Sequence, residues 1–345
     1  MKAVVLREHG GPNVLELAEL EIPEPGPMEV RVKIAAVALN HLDIWVRRGG
    51  PAFRLEYPHR LGSDIAGVID KLGPGVADVK AGGRVIVNPG LSCGRCQPCL
   101  AGADNLCRRY RILGENSQGG YAEYICVPAA NIAPYPGDLS FPEAAGSILS
   151  FMTAWQMVVR KGGVTPGQTV LVHGGGSGVG VAAIQIAKLH GARVLTTAGS
   201  DEKLSKAGEL GADVGINYSS EDFVARVKED TRKRGVDVVI DHVGGEVLAK
   251  SILATARGGK IVTCGATAGF EATIDLRHIF FRQVQILGST MAPKGDLFEV
   301  GKHLASGALR PVIDTVLPLE RAADAHRLLE ERRAFGKVVL DVDAS

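Results

Sequence analysis

Apolar and polar positions alternate through residues 2–40, in AVVLRE, LELAEL and EVRVKIAAVAL, with EIPEPGP punctuating them. A period of two is the mark of short strands that bury one face. Residues 61–90, LGSDIAGVIDKLGPGVADVKAGGRVIVNPG, continue it, dense in glycine at expected turns and bulges. The first 130 residues therefore predict a β-rich barrel or sandwich. Near residue 150 the texture changes. TVLVHGGGSGVGVAAIQIAKLHGARVLTTAG reads as an apolar strand, a glycine turn, an apolar-faced helix and a second strand. Amphipathic stretches at 201–210, 221–234, 245–257 and 275–283 then precede the strand-like runs GADVGIN, VDVVIDHVG, GKIVTCG and VQILGST. Such alternation predicts an α/β domain, a doubly wound parallel sheet covered on both faces. The tail from 296 adds a helix, a short strand at VIDTVLP, the helix LERAADAHRLLEERR and a final strand KVVLDV.

Length and charge narrow the function. A chain of 345 residues exceeds one ordinary core, so two domains are expected. The formal net charge is +1 with both signs interspersed, and no basic arm or stripe points to nucleic acid. MKAVVLREHGG offers no signal-peptide core, and no apolar run reaches a bilayer span. A cytoplasmic protein without a membrane partner is the expectation.

Four of the six cysteines, Cys93, Cys96, Cys99 and Cys107, fall within fifteen residues in the spacing C-x2-C-x2-C-x7-C. In a reducing compartment, such density suggests metal thiolates rather than disulfides. Four converging thiolates make a closed tetrahedral zinc site with no position for water or substrate. One structural zinc per subunit is therefore expected, while Cys126 and Cys264 read as ordinary small buried or half-buried residues.

The turn VLVHGGGSGVG carries Gly175, Ser177, Gly178, Val179 and Gly180 between strand and helix. A bend without side chains lets backbone approach a pyrophosphate, and the helix N-terminus adds free N–H groups and a positive dipole. This is a dinucleotide cradle, although Ser177 interrupts the G-x-G-x-x-G spacing. An NAD-specific site ends its second strand with an acid that binds the ribose 2′-hydroxyl. Here Ala198 holds that position, with Ser200 and Lys203 close behind, which suits NADP, with NAD as the alternative. Gly265, Gly288 and Ser289 sit just past strand ends, where a parallel sheet places its cofactor.

Together, a β-rich first domain, a four-cysteine lobe and a dinucleotide-binding domain resemble the medium-chain dehydrogenase/reductase superfamily. The resemblance implies a GroES-like catalytic domain, residues 1–150 and 291–345, interrupted by a Rossmann domain, residues 151–290. Zinc alcohol dehydrogenases of that superfamily bear a Cys ligand where this chain has Asn40. They bear a Gly-His-Glu triplet where it reads Gly62-Ser63-Asp64, and a third ligand near Ser150. None of these positions keeps the expected thiol or imidazole, so the resemblance implies that the catalytic zinc is missing while the structural one remains. An improvised site from His41, Asp43, His59 and Asp64 is the competing reading.

The segment NHLDIWVRRGG is similar to the N-x-x-D-x-Y-x-R-x-G stretch of the zinc-free quinone oxidoreductase branch, with Trp45 in place of the Tyr. INY at 216–218 also resembles that branch and assigns Tyr218 to the 2′-phosphate. The same resemblance lays Thr153 against the nicotinamide, and Lys337 either reaches the cofactor or is a surface lysine. Asn40 orients the substrate or the nicotinamide ribose, Asp64 makes local hydrogen bonds, and Asp43 pairs with Arg47 or Arg48 or caps a helix. Without a Lewis acid, hydride transfer is easier to a conjugated acceptor, because the charge spreads through an enolate or quinol. The expectation is NADPH-dependent reduction of a small-molecule quinone or α,β-unsaturated carbonyl compound. The alternatives are a zinc alcohol dehydrogenase with unusual ligands and a crystallin-like structural or RNA-binding protein. VQILGST after IFFRQ reads as a sheet edge, and by the resemblance it pairs with its twin in a homodimer or homotetramer.

Overall fold

The structure is a computed structural model and describes residues 1–343 apart from residue 52. It divides into two compact units, Met1–Leu149 with Ala292–Ser345, and Ser150–Met291. Among the described residues, no helix is long and apolar enough to cross a membrane.

The first unit is built on a seven-stranded sheet. Its path runs Ile313–Pro318, Lys337–Asp341, Glu29–Ala38, Asp64–Leu72, Arg84–Val87 and Ile132–Pro134, with Tyr124–Pro128 also paired to Glu29–Ala38. All these pairs are antiparallel except Ile313–Pro318 with Lys337–Asp341. Alternation puts Val30, Val32 and Ile34 on a buried face with Ile65, Ile69 and Leu340. The long strand Glu29–Ala38 crosses Asp64–Leu72 closely: a Cβ on Gly67 would lie 2.1 Å from the Lys33 carbonyl oxygen. Register then brings distant sequence together. Ala38 faces Asp64 on one side and Val339 on the other. Asn40, Asp64 and Lys337 therefore gather at one end of the sheet from three remote parts of the chain.

The second unit is a six-stranded parallel sheet in the order Val214–Asn217, Arg193–Ala198, Thr169–Val172, Val236–Asp241, Thr255–Thr263 and Gln285–Gly288. The chain starts at a central strand, winds outward one way, then returns to wind the other way. The order reverses between Thr169–Val172 and Val236–Asp241, the switch point where such sheets receive ligands at their C-terminal ends. Leu171, Leu195, Val239 and Ile261 are completely buried, as strands covered on both faces require.

The observed helices shorten two sequence expectations. The helix expected over 245–257 ends at Ala254, because β-branched Thr255 begins a strand and its hydroxyl closes onto the Ser251 carbonyl at 2.7 Å. The one expected over 221–234 ends at Asp230, beyond which Arg232 and Lys233 take left-handed backbone with φ 51° and 69°. Three helical segments over residues 141–162 had no counterpart in the sequence reading.

Ile65 is fully buried at the centre of the first unit's core. Ile65→Ala is expected to cost about 2–5 kcal/mol of stability, read by thermal or denaturant unfolding.

Candidate active site

The cysteine lobe forms a compact knot. The four Sγ atoms of Cys93, Cys96, Cys99 and Cys107 all lie within 4.8 Å of one another. Cys96 and Cys99 are 3.4 Å apart, and Cys93 and Cys99 are 3.9 Å apart. A tetrahedral ion with bonds of about 2.3 Å would hold its sulfurs about 3.8 Å apart, so these residues fit zinc. The Arg95 backbone N–H, with help from Arg109 and Cys96, pulls the Cys93 thiol down to about 5. The lobe is tied to the rest of its unit through Asp104, whose carboxylate accepts the Lys294 N–H at 2.9 Å. Lys294 Nζ in turn donates to Asn131 at 2.8 Å.

At the sheet end, Asn40, Asp64 and Lys337 form a buried polar cluster, each 9% exposed or less. Lys337 Nζ donates to Asn40 Oδ1 at 2.7 Å and to Asp64 Oδ2 at 3.0 Å. Asn40 Nδ2 donates to the same Asp64 oxygen at 2.9 Å, and the Leu149 N–H donates to Asp64 Oδ1 at 2.8 Å. An acid on one side and an ammonium on the other fix the amide's orientation, since only its oxygen can accept from Lys337. Asn40 is also the N-cap of the helix His41–Arg48, so the cluster is fixed to the start of that helix.

Asp43 supplies the support beneath it. Its Oδ2 accepts the Asn40 N–H at 2.7 Å and its Oδ1 accepts the Gly62 N–H at 2.9 Å. It thus caps the helix, as one of the two expected roles required, but the expected pairing with Arg47 or Arg48 gives way. Arg47 instead bonds Glu330, His326 and the Gly10 carbonyl, and Arg48 bonds Glu330. Burial pushes Asp43 up to about 6, against the two N–H bonds and the Lys337 charge.

The other expected residues fall in several places. Ser63 is buried and spends its hydroxyl on the Leu113 carbonyl at 2.7 Å, turning from Asp64's partners. His41, Asp43 and His59 do not converge with Asp64. His41 rests edge-on against Trp45 with ring centroids 5.2 Å apart, because the segment is helical rather than extended. His59 Nε2 meets the Gly114 carbonyl at 3.1 Å. Among the described residues, the thiolate knot is the one group of three or more metal-ligating side chains that comes together. Ser150 and Thr153 are buried in the helix Leu149–Trp155. Cys126 and Cys264 are partly buried, as expected.

In the second unit the glycine turn is tightly packed. A Cβ on Gly175 would lie 2.2 Å from Thr196 Oγ1, and one on Gly180 would lie 2.2 Å from the Gly174 carbonyl oxygen. Gly174 itself has φ +60°. Ser177 caps the helix Gly178–Leu189 by accepting the Gly180 N–H at 3.0 Å, and its hydroxyl meets His242 Nε2 at 2.9 Å. That contact explains how a serine serves in a glycine position, and His242 was not singled out from sequence. Val179 lies in the first turn of this helix.

Ala198 ends its strand, Ser200 caps the next helix with Lys203 in its first turn, and Tyr218 is 52% exposed beside Gly199. Asp201, the nearest acid, is held by Asn217 at 2.7 Å. At the strand ends, buried Ser289 Oγ and Asp241 Oδ2 have no hydrogen-bond partner among the described residues. Gly288 closes the last strand, and Gly265 follows Thr255–Thr263. A bend cleared of side chains, a capped helix N-terminus and unsatisfied polar atoms at the C-terminal ends of the strands fit a dinucleotide.

Comparison with known proteins agrees on both halves. Residues 26–137 match the alcohol dehydrogenase GroES-like domain, and residues 178–306 match the zinc-binding dehydrogenase model. An NAD-dependent alcohol dehydrogenase of Saccharolobus solfataricus is 34% identical over 349 residues, covering 99% of each chain. The chain belongs to the medium-chain dehydrogenase/reductase superfamily.

A human quinone oxidoreductase of this superfamily is 29% identical across 99% of this chain and 97% of its own. A solved structure, an NAD-dependent alcohol dehydrogenase, is 57% identical with a TM-score of 0.95, covering 99% of this chain and 100% of that one. As in these relatives, the superfamily's GroES-like and Rossmann folds make this chain an oxidoreductase.

Two outcomes follow from the site's geometry. Cys107→Ser, or a strong chelator, is expected to lower the melting temperature by several degrees through loss of the metal that ties the lobe. Because Asp43 is raised in the folded state, its stabilising share is complete below about pH 4 and is lost as pH rises through about 6. Asp43→Asn should flatten that slope, worth at most about 3 kcal/mol, in melts taken across pH 4–7.

Proposed function

We propose that this oxidoreductase reduces a quinone or an α,β-unsaturated carbonyl compound with NADPH, and that no metal takes part in the chemical step. The observation that carries this reading is the Asn40–Asp64–Lys337 cluster. In a zinc-dependent dehydrogenase the resemblance puts a thiolate ligand at Asn40 and the acid of the Gly-His-Glu triplet at Asp64. Here an ammonium already lies against the Asn40 and Asp64 oxygens, so a divalent ion would meet a like charge and donors of low basicity.

The cofactor, when bound, supplies a hydride. The chain's own residues then need only hold a substrate whose charge disperses. Asn40 keeps one amide N–H that Asp64 does not use, and with Oδ1 held by an ammonium that N–H is a stronger donor. It would steady the acceptor's carbonyl oxygen as charge develops, with solvent delivering the proton afterwards. An alkoxide formed from a simple ketone concentrates its charge on one oxygen, beyond what a single amide can stabilise.

The preference for NADPH rests on Ala198 in place of the acid, with Ser200, Lys203 and Tyr218 around the position a 2′-phosphate would take. We also propose a homodimer. Gln285–Gly288 is an edge strand, and Leu276, Phe280 and Phe281 beside it are 67%, 59% and 67% exposed. An unpaired apolar edge invites a second copy.

The test is turnover of purified protein on a panel of enones, quinones and simple alcohols with NADPH and NADH. Enone or quinone reduction with NADPH is expected. Asn40→Ala should lower kcat/KM by about 10²-fold, the cost of one oxyanion donor, with the melting temperature checked alongside. Lys203→Ala should reduce the NADPH preference by about tenfold without changing NADH turnover, as expected for one charge-assisted contact. Robust alcohol oxidation without enone or quinone turnover would contradict the proposal.

A further inference from the structure

The second unit carries a basic groove at the end of its sheet opposite the glycine turn. Lys228, Lys233, Arg234, Arg257, His278 and Arg282 surround a hollow of about 560 Å³, with Leu253 and Ala256 as its apolar wall. Among the described residues, no carboxylate lines it. The groups arrive from four places: the last turn of Phe223–Asp230, the turn before Val236–Asp241, the start of Thr255–Thr263, and Leu276–Phe280 with the turn after it. The strand Val236–Asp241 separates this groove from the cofactor turn. Its six residues span about 20 Å.

Three local irregularities mark the backbone that carries these charges. Arg232 and Lys233 are consecutive left-handed residues, and Gln283 beside Arg282 is a third, with φ 54°. Non-glycine residues are strained there, by about 1–3 kcal/mol each, and persist where the surroundings demand them. Between Val236↔Thr255 and Val238↔Lys260 the ladder slips, so that extra residues bulge from the second strand and Arg257 rides on them.

Arg282 is anchored by donating to the Ile252 and Thr255 carbonyls, and Arg257 donates to the Phe281 carbonyl at 3.0 Å. Burial and the neighbouring Arg257 charge lower Arg282, the sign of cations crowded without a counter-charge. Arg234 is paired with Asp237, but Lys228, Lys233 and Arg257 make no ion pair among the described residues. Glu229 lines an adjoining hollow that shares Lys228 and Lys233 with the groove, and it pairs with Arg226 at 3.0 Å.

We propose that this groove binds a small oligophosphate anion, separately from the nicotinamide cofactor. Its volume lies in the range of small-ligand sites, and basic side chains line it, with Arg257 and Arg282 anchored on backbone carbonyls. A polymer is disfavoured, because the chain's net charge of +1 leaves no basic track leading away from the hollow.

The experiment is calorimetric titration of the full chain with inorganic tripolyphosphate, its cofactor site first saturated with NADPH. Wild type should bind one equivalent, and Lys233→Ala/Arg257→Ala should weaken binding by about tenfold or more, whereas Lys80→Ala on the other unit should not. Both lysines and the arginine are surface groups, and circular dichroism melts verify folding of each variant. Equal binding by the double variant would overturn the proposal, as would equal binding of sulfate at matched ionic strength. Tighter binding of a short single-stranded RNA, lost in the double variant, would overturn the small-ligand assignment.

Discussion

The buried ammonium of Lys337 is the constraint on which the rest of this molecule depends. A charge placed out of water must be answered, and Asp64 and Asn40 answer it at 3.0 and 2.7 Å. Those partners come from residues 40, 64 and 337, so the sheet has to bring three remote segments to one end before the charge is satisfied. The register that sets Ala38 between Asp64 and Val339 does this. Asp43 then holds the backbone beneath Asn40 and Gly62. The proposed chemistry rests on the same cluster. Once a fixed cation occupies the oxygens, the residues around it are suited to orienting a polar substrate rather than to gripping a metal.

A division of labour follows within the first unit. Its thiolate knot has four soft ligands, a closed arrangement and backbone N–H support, all properties of a metal that holds chain in place. The knot secures a lobe with little apolar core of its own, where only Cys107 and Asp104 among its residues are buried. In the second unit, close packing of glycines against Thr196 and the Gly174 carbonyl brings strand and helix into near contact. That sets the helix N-terminus, capped by Ser177, at the switch point of the sheet.

Much of this was legible in the sequence, for reasons that differ by element. Strand periodicity and the strand–turn–helix texture around Gly175–Gly180 report local physics, so the β-rich unit and the parallel sheet could be read directly. Spacing made the cysteine knot readable as well, since four thiols in fifteen residues have few other uses. The position of Lys337 was harder. A reach to the cofactor and a plain surface lysine were the two expectations; burial removes the second, and its partners are set by pairing between strands nearly 300 residues apart, which no local pattern encodes. His41 illustrates the opposite failure: the competing reading grouped it with Asp43, His59 and Asp64, but the segment is helical and its ring rests against Trp45. Ser177 looked like a defect in the glycine motif until His242 was found against its hydroxyl.

The most direct test of the account is to strip the protein of metal, titrate zinc back, and follow hydride transfer to an enone or quinone at each step. One equivalent should bind at the cysteine knot and restore thermal stability, while the rate of hydride transfer per folded molecule stays constant. A rate that rises in proportion to a second equivalent, abolished by Asp64→Asn, would contradict it.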